Sequence, residues 1–174
     1  HPIGEKHKLD AASGTTMYNE IHGQYHPNFR QYLEKFGYYD IFLVDAETGH
    51  IVYSVFKEVD FATSLISGPY KDSGIGRAFN AALSLDDPNS FALEDFKPYE
   101  PSYNAAASFI ASPVFDMGEV IGVLIFQAPV DNINDVMTSH NKWKNVGLGD
   151  SGEVYLVGQD NLLRNNSRFL IEEP

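Results

Sequence analysis

Tyr38-Tyr39-Asp40-Ile41-Phe42-Leu43-Val44 runs through Asp45-Ala46-Glu47-Thr48-Gly49 into His50-Ile51-Val52-Tyr53-Ser54-Val55-Phe56. The two outer runs are short, apolar and rich in aromatic and β-branched residues, which suit a pleated, half-buried surface. The middle run supplies acidic turn formers and a closing glycine. Together they predict a β-hairpin with a loop of about four or five residues. Upstream, Met17, Ile21, Tyr25, Phe29, Tyr32, Leu33 and Phe36 recur at helical steps and predict one apolar helical stripe. Thr15 or Thr16 suits its start and Gly37 its stop. Pro27 removes a backbone donor and crowds the preceding turn, so a kink or two abutting helices are expected there.

Downstream, a polar stretch passes through Gly68-Pro69-Tyr70-Lys71-Asp72-Ser73. Ile75, Ala78, Phe79, Ala82 and Leu83 then mark a second amphipathic helix, halted by Asp87-Pro88. Three strands follow. Phe91 to Phe96 alternates apolar and polar residues. Residues 105 to 115 form a longer strand, with Pro113 as an edge or bulge marker. Val120 to Phe126 is apolar almost throughout, as a strand covered on both faces would be. Pro129 opens a short helix containing Ile133, Val136 and Met137. Consecutive antiparallel strands with helices packed on the sheet predict an α+β domain.

The ends differ from this middle. Residues 1–14 are polar and aperiodic, a flexible leader; residues 15–146 form the folded module. In 147–174, Gly152-Glu153-Val154-Tyr155-Leu156-Val157, a Gly158-Gln159-Asp160-Asn161 turn and Leu162-Leu163-Arg164-Asn165 predict another hairpin. It echoes the first, as the opening of a second, similar module would.

The 174 residues carry a formal charge of -12 and no cysteine, with 43% hydrophobic residues. Twelve scattered Lys and Arg make nucleic acid and anionic membrane surfaces poor partners. The acidity reads as a solubility feature. Without cysteine there are no disulfides, thiolate metal sites or cysteine nucleophiles. No apolar run approaches the ~20 residues of a membrane-spanning helix. Opening at His1-Pro2 without methionine, the sequence reads as a piece excised from a longer protein, with membrane anchors outside it.

Gly147-Leu148-Gly149-Asp150-Ser151-Gly152 fits G-x-G-x-x-G, but it precedes a strand instead of joining a strand to a helix. It therefore reads as a turn. His22 and His26 stand at metal-ligand spacing with no persuasive third ligand, and read as solvent-facing histidines. Glu94 and Asp95 point to opposite faces of a strand and cannot act as an acid pair. Asn165-Asn166-Ser167 matches a glycosylation sequon of little specificity. G-x-S-x-G, H-E-x-x-H and a P-loop are missing, so no enzyme class is indicated.

His26-Pro27-Asn28-Phe29-Arg30, Tyr38 to Asp45, Ile51 to Phe61, Gly68-Pro69-Tyr70, Asp95 to Ser102, Gly122-Val123-Leu124 and Gly147 to Gly158 occur in an order that resembles one family. These are the Cache-type, PAS-like periplasmic sensor modules of bacterial transmembrane receptors. They occur ahead of methyl-accepting chemotaxis, histidine-kinase or nucleotide-cyclase outputs. The resemblance covers roughly residues 26 to 169. It implies a long N-terminal helix, a five-stranded antiparallel sheet flanked by helices, and a small-molecule pocket between the sheet and the segment holding the second helix. It implies no catalytic residue and no cofactor, and it leaves the ligand open.

Tyr53, Tyr70, Tyr99 and Tyr103, with Phe126 and Gln127, lie on the expected sheet or its adjoining loops. Singly each is a packing residue; together they can supply apolar walls and a few orienting polar groups. Lys57, Lys71 and Arg77 are the nearby cations for a carboxylate ligand, whereas Asp95 would suit an ammonium group. An amino acid, a carboxylate and an amine all stay open. The expected protein is thus the extracytoplasmic domain of a receptor, periplasmic, and homodimeric when full length. The alternative is a periplasmic protein-interaction module that binds no ligand.

Overall fold

In a computed structural model, which describes residues 3–173, the central hairpin is β1 (Asp40–Asp45) paired with β2 (Ile51–Ser54). Its loop is closed by Asp45, whose carboxylate accepts from the Thr48 backbone N–H at 2.8 Å. Gly49 supplies the left-handed conformation at φ 68°. The later strands are β3 (Ala92–Tyr99), β4 (Ala105–Asp116) and β5 (Glu119–Pro129). They complete a five-stranded antiparallel sheet in the order β2-β1-β5-β4-β3. Pro113 sits in β4 beyond the last β3 pair, Ala92 with Ala111, so its missing N–H breaks no bond to β3.

Strand alternation sorts the core into two layers. Phe42 and Val44 of β1 and Val123 and Ile125 of β5 join Phe79, Phe109 and Leu65 in the larger cluster. This layer lies beneath helix α2 (Gly74–Leu83). Ile41 and Leu43, with Leu124 and Phe126, belong to the second cluster, which includes Leu33 and Phe29 of helix α1 (Met17–Phe36). Burying each large apolar side chain contributes about 1.5–3 kcal/mol, so both faces are energetically committed.

Helix α1 starts on Thr16, whose hydroxyl accepts from Asn19 N–H, and ends on Gly37 at φ 70°. It continues through Pro27 as one helix and not as two abutting ones. Buried side chains on both sides of the proline, His22 and His26 before it or beside it and Leu33 after it, hold the two halves to one surface. The helix also corrects the expected apolar stripe. Met17, Ile21, Tyr25 and Phe36 are each more than half exposed, while His22 and His26 are buried. Those histidines are therefore not solvent-facing.

Two compact units divide at residues 128 and 129. The second unit contains α3 (Val130–Met137) and a short α4 (Arg168–Glu172). Its expected hairpin is reduced to a single bridge between Val157 and Leu163, flanked by backbone bonds from Gly158 N to Leu162 O and Arg164 N to Leu156 O. Among the described residues, no helix is long and apolar enough to cross a membrane.

Candidate functional site

Polar groups gather where β1 and β5 meet on the α2 face. Asp40 stands opposite Gln127 in the β1–β5 register and is 1% exposed. Its carboxylate accepts from Ile41 N–H, Val55 N–H and the Ser54 hydroxyl at 2.7, 2.9 and 2.7 Å. Asp60 comes from the turn after β2 and is also 1% exposed. Tyr99, at the end of β3, donates its hydroxyl to Asp60 Oδ2 at 2.6 Å. Asp60 Oδ1 is buried and has no hydrogen-bond partner. A few residues after Tyr99, the Ser102 hydroxyl accepts from Gln127 Nε2 at 2.8 Å. At the rim, the Tyr70 hydroxyl donates to Glu100 at 2.8 Å, and its ring meets Tyr99 edge-on at 6.1 Å.

Burial dominates the electrostatics of this cluster. It pushes the Asp40 carboxyl up to about 7, and raises Asp60 against the lowering effect of the Tyr99 hydrogen bond. Burial and the Asp60 carboxylate raise Tyr99. Tyr70 is pushed up to about 12 by burial and by Glu100. Lys57 is lowered to about 8, also by burial. Its ammonium turns away, onto the Ser54 carbonyl at 2.9 Å and over the Tyr53 ring at 5.3 Å. What remains is a set of acceptors beside aromatic rings, with one buried carboxylate oxygen left without a donor. Such groups can orient a small molecule.

No protein-family model matches the sequence. No curated protein matches it either. Solved structures do. The ligand-binding domain of the Campylobacter jejuni chemoreceptor Tlp3, in complex with 4-methylisoleucine, aligns over 94% of this chain and 58% of its own, at 13% identity and a TM-score of 0.57. That of the Pseudomonas aeruginosa amino acid chemoreceptor PctC, in complex with GABA, aligns over 94% and 63%, at 14% identity and a TM-score of 0.53. That of the Pseudomonas fluorescens chemoreceptor CtaA, in complex with L-serine, aligns over 76% and 49%, at 15% identity and a TM-score of 0.51. The fold is the Cache-type sensor fold. This chain spans about half to three-fifths of the length of those domains.

Within the Cache fold, the nine residues expected to bind ligand fall into separate groups. Tyr99, Gln127 and, at the rim, Tyr70 belong to the polar cluster. Tyr53 lies on the opposite, α1 face, its hydroxyl bonded to His26 Nδ1 at 2.8 Å. Lys57 packs its ammonium over the Tyr53 ring, as described. Arg77 on α2 donates to Glu94 at 2.9 Å and to the Asp72 carbonyl at 2.7 Å. Asp95 is exposed on β3, and its carboxylate accepts from the Phe96 N–H. Lys71 is exposed, and Tyr103 is 70% exposed in a left-handed conformation. Asp40, Ser54, Asp60 and Ser102 belong to the polar cluster without having been singled out in the sequence. Asp40 interrupts an otherwise apolar strand, and a charge at that place was the available signal.

The other motifs resolve structurally. His26 uses both ring nitrogens, toward Tyr53 and the His7 carbonyl, leaving none for a metal. Among the described residues, no group of three or more His, Asp or Glu could hold a metal ion. The G-x-G-x-x-G segment is a turn with Gly147 and Gly149 left-handed, and the carbonyls of Gly149 and Gly152 accept from Arg168 at 3.1 Å. Carbonyls facing a cation are the reverse of a phosphate cradle. Asn165 of the sequon is 5% exposed and bonded to the backbone at Val154 and Leu156. Two apolar cavities flank α1, of about 330 and about 370 Å³.

Proposed function

We propose that this chain is the extracytoplasmic small-molecule-sensing domain of a bacterial transmembrane signalling receptor, most plainly a chemotaxis receptor. The observation that carries the reading is Asp60: a fully buried carboxylate, one oxygen held by Tyr99 and the other without a donor, on the α2 face of a Cache-type sheet. Tyr70, Tyr99, Gln127 and Ser102 would orient the ligand beside it. The chemoreceptor domains of the same fold support this, since those structures hold small amino-acid ligands. The full receptor would be a homodimer, anchored in the inner membrane outside this chain, with the domain in the periplasm. Ligand binding shifts such a receptor only through unequal affinity for its two states.

The test is a thermal-shift and calorimetric screen of the chain against amino acids, carboxylates and amines. A true ligand at one hundred times its dissociation constant adds about 2.7 kcal/mol of stability. Asp60→Asn removes that gain while leaving the unliganded protein folded. A panel with no response in the wild type would instead favour a protein-interaction module. The exposed Met17, Ile21, Tyr25 and Phe36 on α1 are the observation on its side.

A further inference from the structure

The 370 Å³ cavity between α1 and the β1–β2 hairpin is lined by Tyr18, Ile21, Tyr25, Phe29, Leu43, Val52 and Tyr53, with His22 among them. It lies on the face of the sheet opposite the Asp60 cluster, so it is a separate place from the ligand site proposed there. Its size falls within the roughly 300–1,000 Å³ of small-molecule pockets.

His22 is 8% exposed and stacks on His26 at 4.3 Å between ring centroids. Its Nδ1 lies 2.9 Å from the Asp10 carbonyl oxygen. A carbonyl only accepts, so Nδ1 carries the proton and the neutral ring presents a lone pair at Nε2. That Nε2 is buried and has no hydrogen-bond partner. The Tyr53 hydroxyl, on a ring 6.0 Å from that of His22, is committed to His26 Nδ1 at 2.8 Å. Burial, followed by the Lys57 charge, lowers the His22 pKa, which keeps the lone pair free at neutral pH.

We propose that this cavity is a second binding site, for a small phenol- or indole-like molecule whose single O–H or N–H donates to His22 Nε2. A buried acceptor left unpaired is costly, and the apolar walls offer a ring everything else it needs. A lone water fits poorly, because buried water requires two to four polar partners. An ammonium or carboxylate ligand would lose its hydration with no counter-charge among the lining residues. Nε2 is shielded from solvent. Tyr18, 44% exposed with its ring 5.8 Å from the His22 ring, stands at the rim, and the proposal requires it to swing aside to admit the donor.

Calorimetry and histidine ¹⁵N NMR on the full chain, with 4-methylphenol and toluene as matched probes, test the proposal. The expected result is saturable binding of 4-methylphenol, about tenfold tighter than toluene, with a shift of the His22 Nε2 resonance. His22→Phe should erase the preference between the two probes. Val52→Trp, on an exposed strand position, should fill the cavity and abolish binding of both without changing the melting temperature downward. Equal affinities, no binding, or binding indifferent to Val52→Trp would overturn the proposal. So would sedimentation showing that 4-methylphenol only dissociates a dimer, which would assign the groove to a second copy of the chain.

Discussion

Asp40 and His26 are buried titratable groups whose effects on stability have opposite signs. Burial raises Asp40 to about 7, so the folded chain keeps a proton there that the unfolded chain releases near its ordinary value of 3.8. That contribution is complete below the unfolded value and is lost as pH rises through 7. Burial lowers His26 to about 4, so the unfolded chain binds a proton below 6.5 that the folded chain refuses. Its contribution is present above 6.5 and lost as pH falls toward 4. Between these limits the two slopes oppose each other. Asp40→Asn keeps the acceptor for the backbone N–H groups of Ile41, Val55 and, at 3.3 Å, Phe56, and lets Ser54 reverse its bond. Its unfolding free energy, measured in urea from pH 4.5 to 6.5, should climb relative to wild type by about 1.4 kcal/mol per pH unit. Parallel curves for the two proteins would show that Asp40 is ionised throughout that range. Neither burial could be settled beforehand: a charge in an apolar strand marks Asp40 as unusual without showing what covers it, and a histidine pair on a helix is ordinary surface until a second element packs there.

At the level of elements, α2 is the piece on which the proposed ligand rim depends. Gly76 lies inside it, and a Cβ there would collide with the backbone carbonyls of Tyr70 and Lys71. Alanine favours a helix over glycine by about 1 kcal/mol, but overpacking against backbone costs about 1–3 kcal/mol and should win. Gly76→Ala is therefore expected to lower stability by about 1 kcal/mol and to displace Tyr70 from Tyr99, weakening ligand response more than stability. Chemical denaturation beside calorimetry reads both; a more stable variant would mean the 68–73 segment yields freely. Helix α1 shows what periodicity can and cannot decide. Its recurrence located the helix, and Thr15 or Thr16 and Gly37 marked its ends, because caps act on their own neighbours; the structure chose Thr16. It could not choose the buried face, since Tyr and Ile rims and a His-Tyr core both satisfy a three- to four-residue period.

For the molecule as a whole, both hydrophobic clusters lie between Phe29 and Phe126. Residues 1–128 expressed alone should consequently unfold in one cooperative transition in urea, with the far-ultraviolet signature of the sheet retained; a gradual transition would show that residues 129–174 are needed to hold it. Strand positions, turn chemistry and the α+β class were determined by the sequence itself, because alternation, Asp45-to-Gly49 and Asp87-Pro88 act within a few residues. The Cache-type order of motifs was legible for the same reason, as a series of local patterns in a fixed succession. Only the tertiary structure separated Tyr53 from Tyr99, drew Asp40, Asp60 and Ser102 to one end of the sheet, and left single acceptors on Asp60 and His22 without donors. Those facts depend on which distant segments come to cover one another, and burial and hydrogen-bond pairing between them arise only when the chain has closed.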